Sequence, residues 1–333
     1  MSSDPIQSPS FEGAPGGDGP DAATRSDEPG PPRYAPYDGS ATPFTIGLKP
    51  LDAANWIEPD AALARDLAEK RALLYDRFDV VFRETPESRD AQAELLDLLA
   101  DHLTGHHAPL WRRDGSRLRN GDVCVDLTDA RWPVLVRAGL LVSDDLVILQ
   151  RAEDGWRLTA AHLSFPSAWS LAEKFDQPMD RIHADVPGFA AGSRNAALID
   201  RMFDNLRPER PVWRLNWSIH PSGDLHRPKA KRERSPWPPQ VRHESVHVRV
   251  ERQTLRRLPR TGALAFTIRV YSDPLAALMR HRDAIANLTG LAEQLTALNA
   301  AEIAYKGLAA VRPGLLDWLR ARAAESGPSG DRP

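Results

Sequence analysis

Residues 212–220 alternate without a break: Trp213, Leu215, Trp217 and Ile219 fall on one side, Arg214, Asn216, Ser218 and His220 on the other. Side chains on a strand point to opposite faces in turn, so this segment predicts a β-strand with one apolar and one polar face. Four further runs read as strands: 145–150, 156–165, 246–258 and 263–271. Glu153-Asp154-Gly155 turns the first two into a hairpin, and Pro259-Arg260-Thr261-Gly262 joins the last two. Elsewhere apolar residues return every three or four positions. Leu63, Leu67 and Leu74 place a helix within 60–80, Leu95, Leu99 and Leu103 one within 87–104, and a shorter one fits 130–141. Helices are also predicted over 167–175 and 193–206, over 274–305 from Pro274, and over 313–322.

Two strands, then helices, then three strands give an α+β fold whose five-stranded antiparallel sheet spans 141–273. A mostly helical region, 43–140, precedes it, and helices at 274–325 follow. Residues 1–42 and 326–333 are rich in Gly, Pro, Ser and Asp. They bury too little apolar surface to offset the entropy of ordering, and both are read as disordered tails.

Composition narrows the classes. Lys and Arg number 43 against 46 Asp and Glu, a net charge of -3, which lacks the basic bias of a nucleic-acid protein. Cys124 is the single cysteine, so no intrachain disulfide and no multi-cysteine iron–sulfur or zinc site is available. This fits a reducing cytoplasm. The setting Val123-Cys124-Val125 predicts a buried, inert thiol. The first residues show no signal-peptide pattern, and no apolar run reaches the roughly 18 residues of a membrane span.

Candidate chemistry concentrates in Phe165–Phe189, FPSAWSLAEKFDQPMDRIHADVPGF. His183, followed by Asp185-Val186-Pro187-Gly188, sits where a helix must stop. Its imidazole hangs from a stiff segment, which suits a residue that points at one thing. On its chemistry alone, a lone histidine without ligand spacing is more often structural. His106-His107 reads as surface, and His162 as core or pocket wall. His220 and His226 flank a Gly-containing loop, and strand rise sets His243 and His247 far apart. No carboxylates cluster with them, so a mononuclear zinc site is not expected. On the 246–255 strand, His247, Arg249, Glu251 and Gln253 share one face, and Val246, Val248 and Val250 the other. Two polar strand faces can line one pocket; a solvated sheet face is the alternative. The basic run Arg227–Arg234 reads as a solvated loop or a docking patch for an acidic electron-transfer partner.

Several of these segments carry one family's pattern. FPSxW, EK and IHxPVPG recur as Phe165–Trp169, Glu173-Lys174 and Ile182–Gly188, with Asp185 standing where the pattern has Pro. VERQTLRRLP recurs at Val250–Pro259, NW at Asn216-Trp217 with Arg214 in front, part of QEDL at Asp145-Leu146, and YKG at Tyr305-Lys306-Gly307. Over roughly residues 43–310 the chain resembles the haem-dependent oxidative N-demethylase family, the haem-bearing alpha subunits of bacterial dimethylamine monooxygenases.

The resemblance implies a PAS-like sheet domain holding haem b, with His183 as the iron ligand. It implies Glu251 as the anchor of a protonated secondary amine and Asn216 as a pocket donor. Arg214, Arg249, Arg252 and Arg256 become candidates for the haem propionates. Asp185 is close enough in sequence to accept from the second ring nitrogen of His183. Trp217 reads as core, and Tyr305-Lys306-Gly307 as packing. The implied reaction uses O2 to oxidise a methyl group of a dimethylamine-like amine. The resulting carbinolamine collapses to a primary amine and formaldehyde. The chain has no G-x-G-x-x-G fingerprint and no cysteine cluster, so electrons are expected from another chain; the resemblance implies a reductase subunit carrying FMN and an iron–sulfur centre, in a hetero-oligomer. The competing class is a PAS-like haem sensor without turnover, but the chain shows no output module.

Overall fold

The computed structural model describes residues 30–38, 42–233, 235–238 and 240–326. The chain runs through β1 (Lys49–Pro50), α1 (Leu63–Asp76), α2 (Phe78–Val81), β2 (Phe82–Glu84) and α3 (Arg89–His106). A three-stranded meander of β3 (Arg112–Asp114), β4 (Arg117–Asn120) and β5 (Val123–Asp126) leads to α4 (Val134–Gly139). The hairpin β6 (Asp145–Ala152) and β7 (Gly155–His162) precedes α5 (Leu171–Lys174), α6 (Met179–Ile182) and α7 (Arg194–Asn205). Then come β8 (Val212–His220), β9 (His247–Arg257), β10 (Leu264–Pro274), α8 (Ala284–Ala297), α9 (Ala300–Lys306) and α10 (Arg312–Glu325).

The main sheet is antiparallel with seven strands, in the order β1-β8-β9-β10-β6-β7-β2. This corrects the expected strand count of five. The five expected strands form its contiguous centre. β1 adds two residues against Val212 and Trp213, and β2 adds three against Ala160–His162. Both come from the region expected to be mostly helical. Strands this short carry no periodicity that a sequence reading can detect. The helix expected over 274–305 is also broken. Residues Leu275–Arg280 form 3-10 turns, α8 ends at Ala297, and Asn299 starts α9 with a reciprocal capping box to Glu302.

The expected tails lie largely outside the described residues. Within 30–38, however, Tyr37 is buried, and its carbonyl packs so close to α8 that a Cβ on Gly290 would sit 2.0 Å from it. Cys124, expected to be buried, is exposed on β5. Alternate residues of a four-residue outer strand face solvent, which an apolar neighbourhood in sequence does not reveal.

The sheet has two different faces. One packs on α1, α3 and α4 through Leu67, Leu95, Leu146 and Ile148, and on α8 and α10 through Trp217, Val250, Leu291 and Leu319. It also buries charges. Arg269 pairs with Asp66 at 2.6 Å and Asp60 at 2.8 Å, while Lys70 donates to the carbonyls of Gly139, Val142 and Asp144. His162 lies on this face, fully buried, which settles it as core. It packs so tightly under α4 that a Cβ on Gly139 would stand 2.0 Å from its Nδ1. Gly139→Ala is therefore expected to cost about 2 kcal/mol by overpacking, read as a lower urea midpoint at unchanged slope. An unmoved midpoint would mean the imidazole yields freely. Among the described residues, no helix is long and apolar enough to cross a membrane.

The other face carries a separate apolar cluster, including Val147, Leu149, Leu158, Phe189, Phe203 and Ile268. It is roofed by residues 165–189 and by α7, and between roof and sheet lies a cavity.

Candidate functional site

The cavity measures about 330 Å³, which is the size of a small-molecule site rather than of a trapped water. Its floor is the face of β8, β9, β10, β6 and β7 that strand alternation directs away from the helices. From β8 come Arg214, Asn216, Ser218 and His220; from β9 come Glu251, Gln253 and Leu255. The half over β6, β7 and β10 is apolar, with Val147, Leu149, Leu158, Phe266 and Ile268. Phe44–Leu48 and the pair Tyr305-Lys306 complete the wall.

The roof is pinned at its start. The Asp145 carboxylate accepts the backbone N–H groups of Ser164 at 2.7 Å and Phe165 at 2.9 Å. Arg249, on the floor strand, donates to the carbonyls of Phe165 and Leu225. Burial pushes the Asp145 carboxyl up to about 6, opposed by Lys70 and by those two N–H donors. Donor and acceptor groups of Phe165 are thus both satisfied by charged side chains, where a buried loop would otherwise leave them unpaired.

His183 ends α6, as the sequence reading expects. Its backbone N–H reaches Met179 O at 3.0 Å, and its φ and ψ of -96° and 4° leave the helix. The ring lines the cavity, half-buried and 6.1 Å from the Phe189 ring. Neither of its nitrogens makes a hydrogen bond to a described residue. Burial pushes its pKa down to about 4, with the positive charges of Lys174 and Arg214 adding to the effect. The neutral imidazole is the form that binds a metal. Asp185 does not play the expected role: it is exposed, and no hydrogen bond joins it to His183.

The other candidates divide. Asn216 and Glu251 meet across β8 and β9, Nδ2 donating to Oε2 at 3.4 Å, and Gln253 Nε2 donates to the same oxygen at 3.0 Å. Glu251 Oε1 lies 3.5 Å from Arg249 Nε. Arg214 lines the cavity with its Nε buried and without a hydrogen-bond partner, and it forms no ion pair with a described residue. Burial pushes its pKa down, opposed by Glu251 and Tyr305.

Arg249, Arg252 and Arg256 are not placed as expected. Arg249 is spent on the Phe165 and Leu225 carbonyls. Arg252 and Arg256 lie on the opposite face. Arg252 donates to Asn55 O and Trp56 O and pairs with Glu58 at 3.2 Å, and Arg256 stacks 4.8 Å over the Trp56 ring.

Two cationic side chains outside the expected set, Lys306 and Lys231, line the cavity instead. Lys306 Nζ donates to Trp217 O at 2.7 Å and lies 4.1 Å over the Trp217 ring and 5.2 Å over that of Phe44. Burial pushes its pKa down to about 7, while Glu251 and the two ring faces favour the charged form. Lys231, from the supposedly solvated basic run, lines the cavity with Nζ 3.9 Å over the Tyr305 ring. The YKG motif was the available signal for Lys306, since a charged residue between an aromatic and a helix-ending glycine needs a partner. Nothing in sequence distinguishes Lys231 from its basic neighbours.

Trp217 is core, as expected, with its indole N–H on Gln294 Oε1 at 2.9 Å. His220 shares the cavity with Ser218, whose Oγ is 2.8 Å from its Nε2. The rings of His106 and His107 both contact that of His102 at the end of α3, tilted and edge-on, with His107 Nε2 3.1 Å from Ile57 O, so His107 is not simply surface. Among the described residues, no group of three or more His, Cys, Asp and Glu side chains is arranged to hold a metal.

The cavity has an apolar half over β6, β7 and β10, cationic side chains that include Arg214, Lys231 and Lys306, and on its roof a histidine without a hydrogen bond to a described residue. Such a lining could hold a largely apolar metal-bearing cofactor with anionic groups. Residues 47–316, well over half of the chain, match the family described as haem-dependent oxidative N-demethylase, alpha subunit-like. The chain belongs to that family.

Proposed function

We propose that this chain is the haem-bearing subunit of a monooxygenase that removes a methyl group from a small secondary amine of the dimethylamine kind. The observation that carries the reading is the convergence of His183, Arg214, Lys306 and Glu251 on one half-apolar cavity. The residues fit haem: Arg214 has a buried Nε with no partner, His183 has no hydrogen bond, and the floor over β6 and β10 is apolar. When bound, haem supplies oxygen activation and the oxidation of the methyl group.

The chain's own residues do the rest. His183 would hold the haem iron through a neutral imidazole nitrogen. Arg214, Lys306 and Lys231, which line the same cavity, would hold the propionates. Glu251 holds the ammonium of the substrate. Its Oε2 is engaged by Asn216 and Gln253, and its Oε1, already 3.5 Å from Arg249 Nε, would accept the ammonium N–H through its remaining lone pair. Apolar walls around the methyl group exclude water, which strengthens that ion pair. After oxidation the carbinolamine C–N bond breaks as its hydroxyl proton passes to the nitrogen, giving formaldehyde and the primary amine, and the departing nitrogen keeps its place beside Glu251.

The test is an absorbance spectrum of the purified chain, oxidised and reduced, followed by formaldehyde release from dimethylamine with an external electron donor. A colourless protein that takes up no hemin would reject the reading. The chain carries no dinucleotide fingerprint, so electrons are assigned to a partner subunit. The purified chain alone is accordingly expected not to oxidise NADPH. Robust NADPH consumption with no reductase added would sink the division of labour between subunits.

A further inference from the structure

The part of the roof that presents His183 rests on α5 and α6, helices of four residues each. A helix this short does not hold its own direction, so outside contacts must fix it. α5 is fixed first. Ser170 and Glu173 form a reciprocal capping box at its start. At its end Asp176 adopts a left-handed φ of 54°, and its backbone N–H donates to Leu158 O at 2.8 Å. Arg157 donates to the carbonyl of the same residue at 2.5 Å. The helix is thereby tied to β7, and Lys174, its last residue, projects from a fixed base.

Lys174 Nζ donates to Ile182 O at 2.9 Å, and Lys174 forms no ion pair with a described residue. The peptide that joins Ile182 to His183 is thus held at both ends. Its carbonyl is taken by Lys174, and its N–H by Met179 O. A peptide group is planar, so holding both ends fixes the plane from which the His183 side chain departs. Proline at 187 is four residues further on and restrains the chain only beyond the histidine.

We propose that Lys174 is a positioning residue for His183, gripping the Ile182 carbonyl so that the imidazole enters the cavity in a single direction. This rests on the reading of His183 as the axial ligand.

The test uses the full chain, freed of haem and titrated with hemin, as parent, Lys174→Met, Lys174→Arg and His183→Ala. Methionine keeps an unbranched stem and loses the donor. Lys174→Met is expected to fold, by circular dichroism, and to bind hemin with one-to-one stoichiometry. Its hemin affinity falls about tenfold, as for a lost charge-assisted hydrogen bond. Its ferric electron paramagnetic resonance lines broaden, because the ring no longer takes one orientation. Lys174→Arg restores most of both. Parent affinity together with parent line shape in Lys174→Met would overturn the proposal. Should that variant not fold, Lys174→Gln takes its place under the same criterion. If His183→Ala itself keeps the parent's hemin affinity and spectrum, the ligand reading fails, and the proposal falls with it. If only His183→Ala changes, the ligand reading stands and Lys174 is a roof residue alone.

Discussion

Replacing His183 by alanine is expected to give a folded chain that has lost its haem or holds it with an altered Soret band. The residue is half-buried at the end of a four-residue helix, and its ring contacts only Phe189 among the aromatics, so its removal leaves the core intact. What is lost is the neutral nitrogen at the roof of the cavity. Free imidazole, added to the variant, enters the vacated space and partly restores the spectrum. Unchanged haem content, ferric and ferrous spectra and turnover would show that His183 is not the ligand. His220 would then be the histidine to replace, because it lines the same cavity, whereas His162 lies on the far side of the sheet.

Glu251→Gln is expected to keep haem and to weaken the spectral shift that a secondary amine induces. A cation in a partly dry cavity needs an opposite charge, and a buried charge left unpaired costs several kcal/mol. The substitution preserves shape and the contacts to Asn216 and Gln253 while removing the charge. Amine affinity is expected to fall at least about tenfold, or roughly 1.4 kcal/mol. Arg249, 3.5 Å from Glu251 Oε1, loses its counter-charge in the same variant, so a melting curve must accompany the titration. Equal affinity in parent and variant would move the anchor to Asp185, the other carboxylate lining the cavity.

The sheet was legible where alternation was long. Val212–His220 and His247–Arg257 declare both their strands and their facing, and the cavity floor follows from the two polar faces. The same alternation, carried two residues further, separates Arg252 and Arg256 from Glu251, because they share the parity of Val248 and Val250. The resemblance grouped them with Arg214 by residue type, and geometry divides them. Arg249 has the right parity and still fails as a propionate contact, since two backbone carbonyls claim it, and such partners are set by tertiary folding. Lys174 stands in the EK motif with no role implied, and Lys306 in a YKG motif that reads as packing. Their acceptors are the carbonyls of Ile182 and Trp217, the second of them far away in the chain, so no local pattern reports both. β1 and β2 are invisible for a simpler reason: two or three residues cannot show a period.

Those two short strands have a further consequence. They are the outermost members of the sheet, and they present Lys49-Pro50 at one side and Arg83-Glu84 at the other. A proline offers no N–H, and charged residues on a stub of strand discourage a newcomer from adding its own backbone there. A second polypeptide therefore gains little by lengthening this sheet at either margin. On the reading proposed above, a chain that delivers electrons would be recognised through side chains rather than by lengthening this sheet, so its grip could be tuned or lost by single surface substitutions without touching the sheet at all.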